Sequence, residues 1–415
     1  MYYSKVEYNS VLLLGLLGLI IMIGFLGNVL FSRTKIPEAL FLITIGVIIG
    51  PVLNLVESEM LIEISSFIAT IALIVILLES GMSIDLKKLL RNFSSAAIFT
   101  VVVFILSTLL VSLFLHLLMH WSLFHSLFIG IISGGTTTIT VMTLVSRCSA
   151  SDDTKNLLFL ESMINDITII SGAVILIQVM EFNAVETTKV ANLILGSVSI
   201  AVLFGFLTGM FWVITLFKYL GKHPLNYVST LGVALILYTL AESVGANGAI
   251  AVLVFSLTVG NFRNVVIIFK IKTDLVTKHS LETLKKIKSI QLGITFFVKT
   301  FFFVFLGLVF SFKNLNQEIL TIVFGMLVIL IIARFFSAKI LPLFDKKYGK
   351  DTFLITTMLP RGFAATVVAF LPLEAGIEIP GLIEIVLLML FLSTIIAIIG
   401  VAIYERTSPH AGKSK

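Results

Sequence analysis

From Val11 to Phe31 the chain runs 21 residues without a charged side chain. Roughly 20 apolar residues suffice for one helical crossing of a bilayer. Comparable windows recur along the whole length, separated by short charged or Gly/Pro-containing stretches. They predict thirteen membrane helices at about 10–31, 37–55, 61–80, 94–117, 121–147, 154–180, 190–217, 224–242, 246–261, 290–311, 318–338, 352–373 and 381–404. In a bilayer every backbone polar group must be satisfied inside its own segment, so the expected fold is an all-α polytopic bundle. The 415 residues are 58% hydrophobic and only 13% charged, which excludes a set of ordinary soluble domains. The single cysteine, Cys148, rules out an internal disulfide or a multi-cysteine metal site. No cleavable leader is evident, no cofactor is expected, and an enzyme is not.

The basic residues divide the connections into two sets. Of 29 Lys and Arg, 24 are counted with alternate connections or the C-terminal tail, including Arg334 at the end of span eleven and Lys339 just after it, and only Lys5, Lys189 and Lys313 fall on the other side. By the positive-inside rule the N-terminus is outside and the C-terminus cytoplasmic, as an odd number of crossings requires. The net charge of +6 is thus a signal of orientation in a cell-membrane protein, with lipid rather than nucleic acid as its surroundings. The remaining two basic residues, Lys299 and Arg361, sit in the middle of apolar spans, where charge is costly and marks function by default.

Two spans are interrupted. Ser133 to Thr138 reads Ser-Gly-Gly-Thr-Thr-Thr in span five, and Pro360-Arg361-Gly362 breaks span twelve. If spans one to six and eight to thirteen are repeats, the first begins outside and the second inside. Breaks at matching positions of two inverted repeats point to discontinuous helices crossing at the bilayer midplane, where transport sites lie.

Span six places Glu161, Ser162, Asn165 and Asp166 in the apolar middle of a helix. At 100° per residue Glu161 and Asn165 share one face, and Ser162 and Asp166 another. Desolvation disfavours the charged form of a lone carboxylate, so a proton and a small cation compete for the oxygens of Asp166. That competition is the minimal chemistry of antiport. Thr136, Thr137 and Thr138 in the broken span offer hydroxyl and carbonyl oxygens, which suit hard alkali ions. The expected site therefore comprises Asp166, Ser162, Thr136, Thr137 and Asn165, with Asp166, Ser162 and Thr136 as ligands of the alkali ion. Arg361 cannot discharge by deprotonation and needs a counter-charge, for which Glu161 is the natural candidate. Lys299 either pairs with Asp166 and is released by the cation, as a coupling group, or snorkels to a polar edge. Weaker signals are His116, His120 and His125, which suit an interface, and the carboxylates Glu57, Glu59, Glu181, Glu186, Glu374 and Glu378 opposite the basic face, which attract cations.

These residues carry a resemblance. Gly27-Asn28-Val29-Leu30 with Ile36-Pro37 and Gly46 to Pro51, Glu79 to Asp85, Glu161 to Asp166, Thr300 to Gly307 and Leu359-Pro360-Arg361-Gly362 are similar to motifs of the monovalent cation/proton antiporter superfamily, especially its NhaP-like sodium/proton exchangers. The resemblance covers nearly the whole chain. It implies that Asp166 binds ion or proton, that Ser162 helps coordinate, and that Glu161 and Arg361 pair to hold the broken helices. It implies exchange of Na⁺ or Li⁺ for H⁺, electroneutral by the Asn165-Asp166 pair, with K⁺ as the alternative ion. It also implies a homodimer in which a core of 94–180 and 318–404 moves against a scaffold of 1–93 and 190–311, ahead of a short tail at 405–415. Where relatives commonly show Thr-Asp-Pro, this chain has Thr136-Thr137-Thr138, so a hydroxyl replaces a second carboxylate. Other classes weighed are a K⁺ efflux system, a sodium-coupled symporter, a channel and an intramembrane aspartyl protease; the last would need two converging carboxylates, whereas Glu161 and Asp166 point about 140° apart on one helix.

Overall fold

The computed structural model describes residues 37–53, 65–84, 93–181, 187–220, 225–268 and 276–407, except residue 147, with positions 61 and 223 and a few between 15 and 26. Most of the first expected span, and the expectations for Gly27 to Leu30, Glu57, Glu59, Asp85 and Glu186, lie outside the described residues.

Regular structure among the described residues is entirely helical. In chain order it comprises α1 (Glu38–Val47), α2 (Ser65–Ser83), α3 (Phe93–Leu113), α4 (Leu123–Gly134), α5 (Thr138–Val145), α6 (Asp152–Glu181), α7 (Thr187–Thr215), α8 (Asn226–Ser243), α9 (Gly248–Gly260) and α10 (Phe262–Ile268). It continues with α11 (Lys278–Val309), α12 (Gln317–Phe344), α13 (Thr352–Thr357), α14 (Phe363–Val368), α15 (Leu371–Glu374) and α16 (Leu382–Thr407). Among the described residues seven helices are long and apolar enough to cross a membrane, and four more segments are shorter apolar helices. The two expected interruptions are real. Span five divides into α4 and α5, and span twelve into α13, α14 and α15.

Polar side chains begin several helices by accepting a free N–H of the first turn. Ser122 accepts from His125 N at 3.2 Å, Asn247 from Ile250 N at 2.9 Å and Asn316 from Ile319 N at 2.8 Å. Thr277 and Ser280 cap α11 reciprocally. That helix is 32 residues, about 48 Å at 1.5 Å per residue. It therefore joins the expected span at 290–311 to the basic stretch before it in one continuous rod.

Helices α1, α2, α7, α9 and α11 pack chiefly with one another, and α3, α4, α6, α12, α13 and α16 likewise. The first group relies on close backbone approach. A Cβ on Gly46 would lie 2.1 Å from Val304 O, and one on Gly307 2.3 Å from Ile43 O, so α1 and α11 touch main chain to main chain. In the second group Phe99, Val103, Leu144, Leu157, Leu341, Leu354, Met358 and Ala397 form an apolar core at the ends of the helices nearest the basic connections.

Arg334 corrects one sequence expectation. It is not a loop charge: α12 continues to Phe344, and Arg334 is 1% exposed within it. Its cost is met by a carboxylate on another helix, which the count along the chain could not reveal.

Candidate functional site

The two broken segments cross in extended conformation. Thr137 has φ −99° and ψ 136°, and its N–H donates to Pro360 O at 3.1 Å. Gly362 faces it with φ −150° and ψ −163°. A Cβ at Gly362 would sit 2.1 Å from Thr137 Cβ, so contact between the strands of chain requires glycine. Arg361 belongs to this crossing: its guanidinium Nη1 donates to Gly135 O, and its backbone N–H to Ser393 Oγ at 3.1 Å. Main-chain groups freed by the breaks thus find partners inside protein, the condition for irregular backbone at membrane depth.

Asp166 is the fifteenth residue of the 30-residue α6, at its midpoint. Thr138, the first residue of α5, donates its hydroxyl to Asp166 Oδ2 at 2.8 Å and directs its backbone N–H to the same oxygen at 3.5 Å. The carboxylate therefore lies at a helix start, where free N–H groups and the helix dipole favour an anion. Asp166 is only half-buried. It lines a cavity of about 440 Å³ whose polar wall includes Glu79, Ser80, Ser83, Thr137, Thr138 and Thr143. Ser83 and Ile84 at the end of α2, and Met142 and Thr143 in α5, carry the cavity from Asp166 toward the ends that lead into basic connections.

The other expected ligands lie elsewhere. Ser162 is fully buried and donates to Phe159 O at 2.8 Å, within its own helix. Thr136 Oγ1 donates to Glu161 Oε1 at 3.3 Å. Asn165 Nδ2 donates to Glu161 Oε1 at 3.2 Å and to Thr136 Oγ1 at 3.4 Å. None of the three lines the cavity. Thr137 does.

Glu161 is not paired with Arg361. Arg334 Nη1 and Nη2 donate to Glu161 Oε1 and Oε2 at 2.6 and 2.7 Å, and Arg334 Nε donates to Ile355 O at 2.6 Å. The bidentate fit exploits the planar guanidinium fork, and the third donor ties in α13. Arg361 makes no ion pair among the described residues; its charge is directed at the Gly135 carbonyl. One buried carboxylate thus gathers Arg334, Thr136 and Asn165 into a network that holds α6, α12 and the break after α4.

Lys299 is 7% exposed, about two thirds of the way along α11. Its ammonium lies 5.8 Å from the centre of the Phe363 ring, and no ion pair joins it to Asp166 among the described residues. His116 Nδ1 pairs with Trp121 O at 2.8 Å. At the opposite end from the Asp166 cavity, a second cavity of about 410 Å³ is lined by Glu181, Glu242 and Glu374. Thr70 donates to Glu374 Oε2 at 3.0 Å there.

Sequence reasoning missed Glu79 as a cavity carboxylate, Arg334 as the partner of Glu161, and Thr138 as the residue that holds Asp166. A signal existed for Glu79, a carboxylate near the end of an apolar helix. None existed for the pairing of Arg334.

Comparison with known proteins agrees with this architecture. The chain superposes on the solved structure of the sodium proton antiporter MjNhaP1 from Methanocaldococcus jannaschii at pH 8 with a TM-score of 0.75, at 20% identity, covering 95% of this chain and 98% of that one. A second structure of the same antiporter gives 0.70, at 21% identity and 95% coverage of each. In sequence, 167 residues are 29% identical to Na(+)/H(+) antiporter 1 of the same organism, so the alignment spans 39% of each chain. The family model described as sodium/hydrogen exchanger, transmembrane, matches residues 18–404. With nearly its whole length matched, the chain belongs to the transmembrane sodium/hydrogen exchanger family, whose members are multi-pass membrane transporters and not enzymes.

Proposed function

We propose that this protein is a secondary transporter that exchanges a monovalent cation, Na⁺ or Li⁺, for protons, with Asp166 as the shared site. The observation that carries the reading is the placement of Asp166. A carboxylate stands at the middle of a membrane helix, against the start of a half-helix, and on the wall of a cavity that also holds Glu79. Asp166, Thr137 and Thr138 with Glu79 supply hard oxygen ligands, which suit an alkali ion and no soft metal.

Asp166 crosses the membrane either protonated or cation-bound, and the bare ionised form is held back by its desolvation cost. Alternation between the two loaded states couples cation and proton flow without a channel. The cavity reaches from Asp166 toward the basic connections, so by the positive-inside rule this conformation faces the cytoplasm. The N-terminus is then outside, the C-terminus inside, and the protein resides in the cell membrane, releasing cytoplasmic cation against external protons. The helices of 94–180 and 318–404 act as the moving core against a scaffold drawn from 1–93 and 190–311, in a homodimer. Exchange is electroneutral, in keeping with the Asn165-Asp166 pair; Lys299, buried near the cavity with no acid partner among the described residues, is the alternative group through which exchange would couple to voltage.

The test is reconstitution into vesicles, with Na⁺, Li⁺ and K⁺ added under a clamped membrane potential and internal pH followed. Wild type dissipates a pH gradient on addition of Na⁺ or Li⁺, and Asp166→Asn does not although it folds. Cation-dependent exchange retained by Asp166→Asn refutes the reading, and a response confined to K⁺ reassigns the ion.

A further inference from the structure

Thr138 does more than begin α5. Its hydroxyl proton is committed to Asp166 Oδ2 at 2.8 Å, with the backbone N–H directed at the same oxygen. Asp166 Oδ1 takes no protein partner among the described residues, and the residue lines the 440 Å³ cavity together with Thr138. The terminal torsion of an aspartate is broad and roughly two-fold, so an untethered carboxylate samples many orientations. A tether on one oxygen selects a single orientation and leaves the other oxygen toward the cavity. Because Thr138 spends its proton on Oδ2, the lone pairs of its Oγ1 remain available as acceptors beside the free carboxylate oxygen. Thr137, the adjacent residue, cannot substitute, since its side chain is packed against Gly362 at the crossing.

We propose that Thr138 is the positioning residue of the cation site: it clamps Asp166 Oδ2 so that Oδ1 is presented to the cavity in a fixed orientation, and thereby sets the affinity for the transported alkali ion. Pre-ordering a ligand lowers the entropy lost on binding and so strengthens affinity without a new contact. The role rests on the antiport reading, and it assigns to the hydroxyl of this threonine a function that neither the break in the helix nor the cavity alone requires.

The experiment compares wild type with Thr138→Val, Thr138→Ser and Thr138→Pro at one fixed pH. Two quantities are read: the Na⁺ concentration giving half-maximal exchange in vesicles, and the Na⁺ concentration giving half-maximal thermal stabilisation of the purified protein. Valine keeps the shape and removes the hydroxyl. Proline is compatible with the first position of a helix, removes the N–H as well, and suits the extended conformation of Thr137 before it. The expected result for Thr138→Val is a rise of about tenfold in both half-maximal concentrations, the scale of one hydrogen bond to a charged group, with the saturating rate changed less than about twofold. Thr138→Pro shows at least the same loss, and Thr138→Ser returns both values to within about twofold of wild type.

Unchanged half-maximal concentrations in Thr138→Val, a serine variant as weak as the valine one, or a loss confined to the saturating rate would overturn the proposal. So would a wild-type protein that Na⁺ does not stabilise at any concentration. If wild-type vesicles show no exchange while Na⁺ stabilisation follows the valine and serine pattern, the antiport reading falls and the positioning role stands. If the valine variant fails to fold, the proline and serine variants decide by the same two readings.

Discussion

Arg334 and Glu161 meet end-on across two helices, Nη1 and Nη2 engaging both carboxylate oxygens at 2.6 and 2.7 Å, and both side chains are shut off from solvent. Removing one partner of a buried pair strands the other charge and costs about 3–5 kcal/mol. Arg334→Met and Glu161→Met are therefore expected to lower the thermal unfolding midpoint in detergent sharply. The double variant should recover part of the loss, because no charge is left unpaired. Arg361→Met leaves Glu161 paired and should cost less; the ranking of the three midpoints is the check.

Glu79 faces Asp166 across the cavity from a different helix. Glu79→Gln is expected to weaken cation affinity several-fold through loss of a charged oxygen while shifting stability by less than about 0.5 kcal/mol, since the residue is only half-buried. Half-maximal cation concentrations together with unfolding midpoints test both parts; unchanged affinity would remove Glu79 from the site.

The crossing of the two breaks depends on the contact between Gly362 and Thr137. Gly362→Ala drives a methyl group into Thr137 and should destabilise the protein by about 1–3 kcal/mol, the usual cost of overpacking. Thr137→Gly in the same chain creates space and should restore a measurable fraction. Strict additivity of the two changes in a double-mutant cycle would show that the contact is not tight.

Asp351 lies in the short helical turn Lys346–Asp351, outside the spans. Burial, the largest single influence, pushes its carboxyl up, yet the donors on Tyr404, Thr154 and Ser151 together hold it below the ordinary carboxylate range. Thr154 Oγ1 donates at 2.7 Å and Ser151 Oγ at 2.9 Å, and the Tyr404 hydroxyl reaches the other oxygen. A carboxylate depressed in the folded state contributes stability that is fully present above its unfolded value, near pH 4, and is lost as pH falls through the lower folded value. Denaturant unfolding between pH 3 and pH 7 should therefore show a steeper loss on the acid side in wild type than in Asp351→Asn. Tyr404→Phe should reduce the difference, and parallel pH curves for wild type and Asp351→Asn would contradict the assignment.

The breaks in spans five and twelve were legible because Gly-Gly-Thr-Thr-Thr and Pro-Arg-Gly cannot continue an apolar helix without loss. The central place of Asp166 was legible because position along a helix is a matter of counting. The partner of Arg361 was not legible. Two arginines and one glutamate allow more than one pairing, and Arg334 resembled the charges of a connection because apolar density falls off after it.

Apolar spacing by itself determined a multi-spanning helical chain, its two charged sides, the positions of its two interruptions and the depth of Asp166. These follow from local physics, since a bilayer admits few ways to satisfy a backbone and a helix rises by a constant step. Packing between helices decided the rest: that Glu161 belongs to Arg334, that Ser162 bonds within its own helix, and that Thr138 rather than Ser162 grips Asp166. A helical wheel assigns each side chain a direction from its own axis. Only the rotation and contact of neighbouring helices determine what that direction meets.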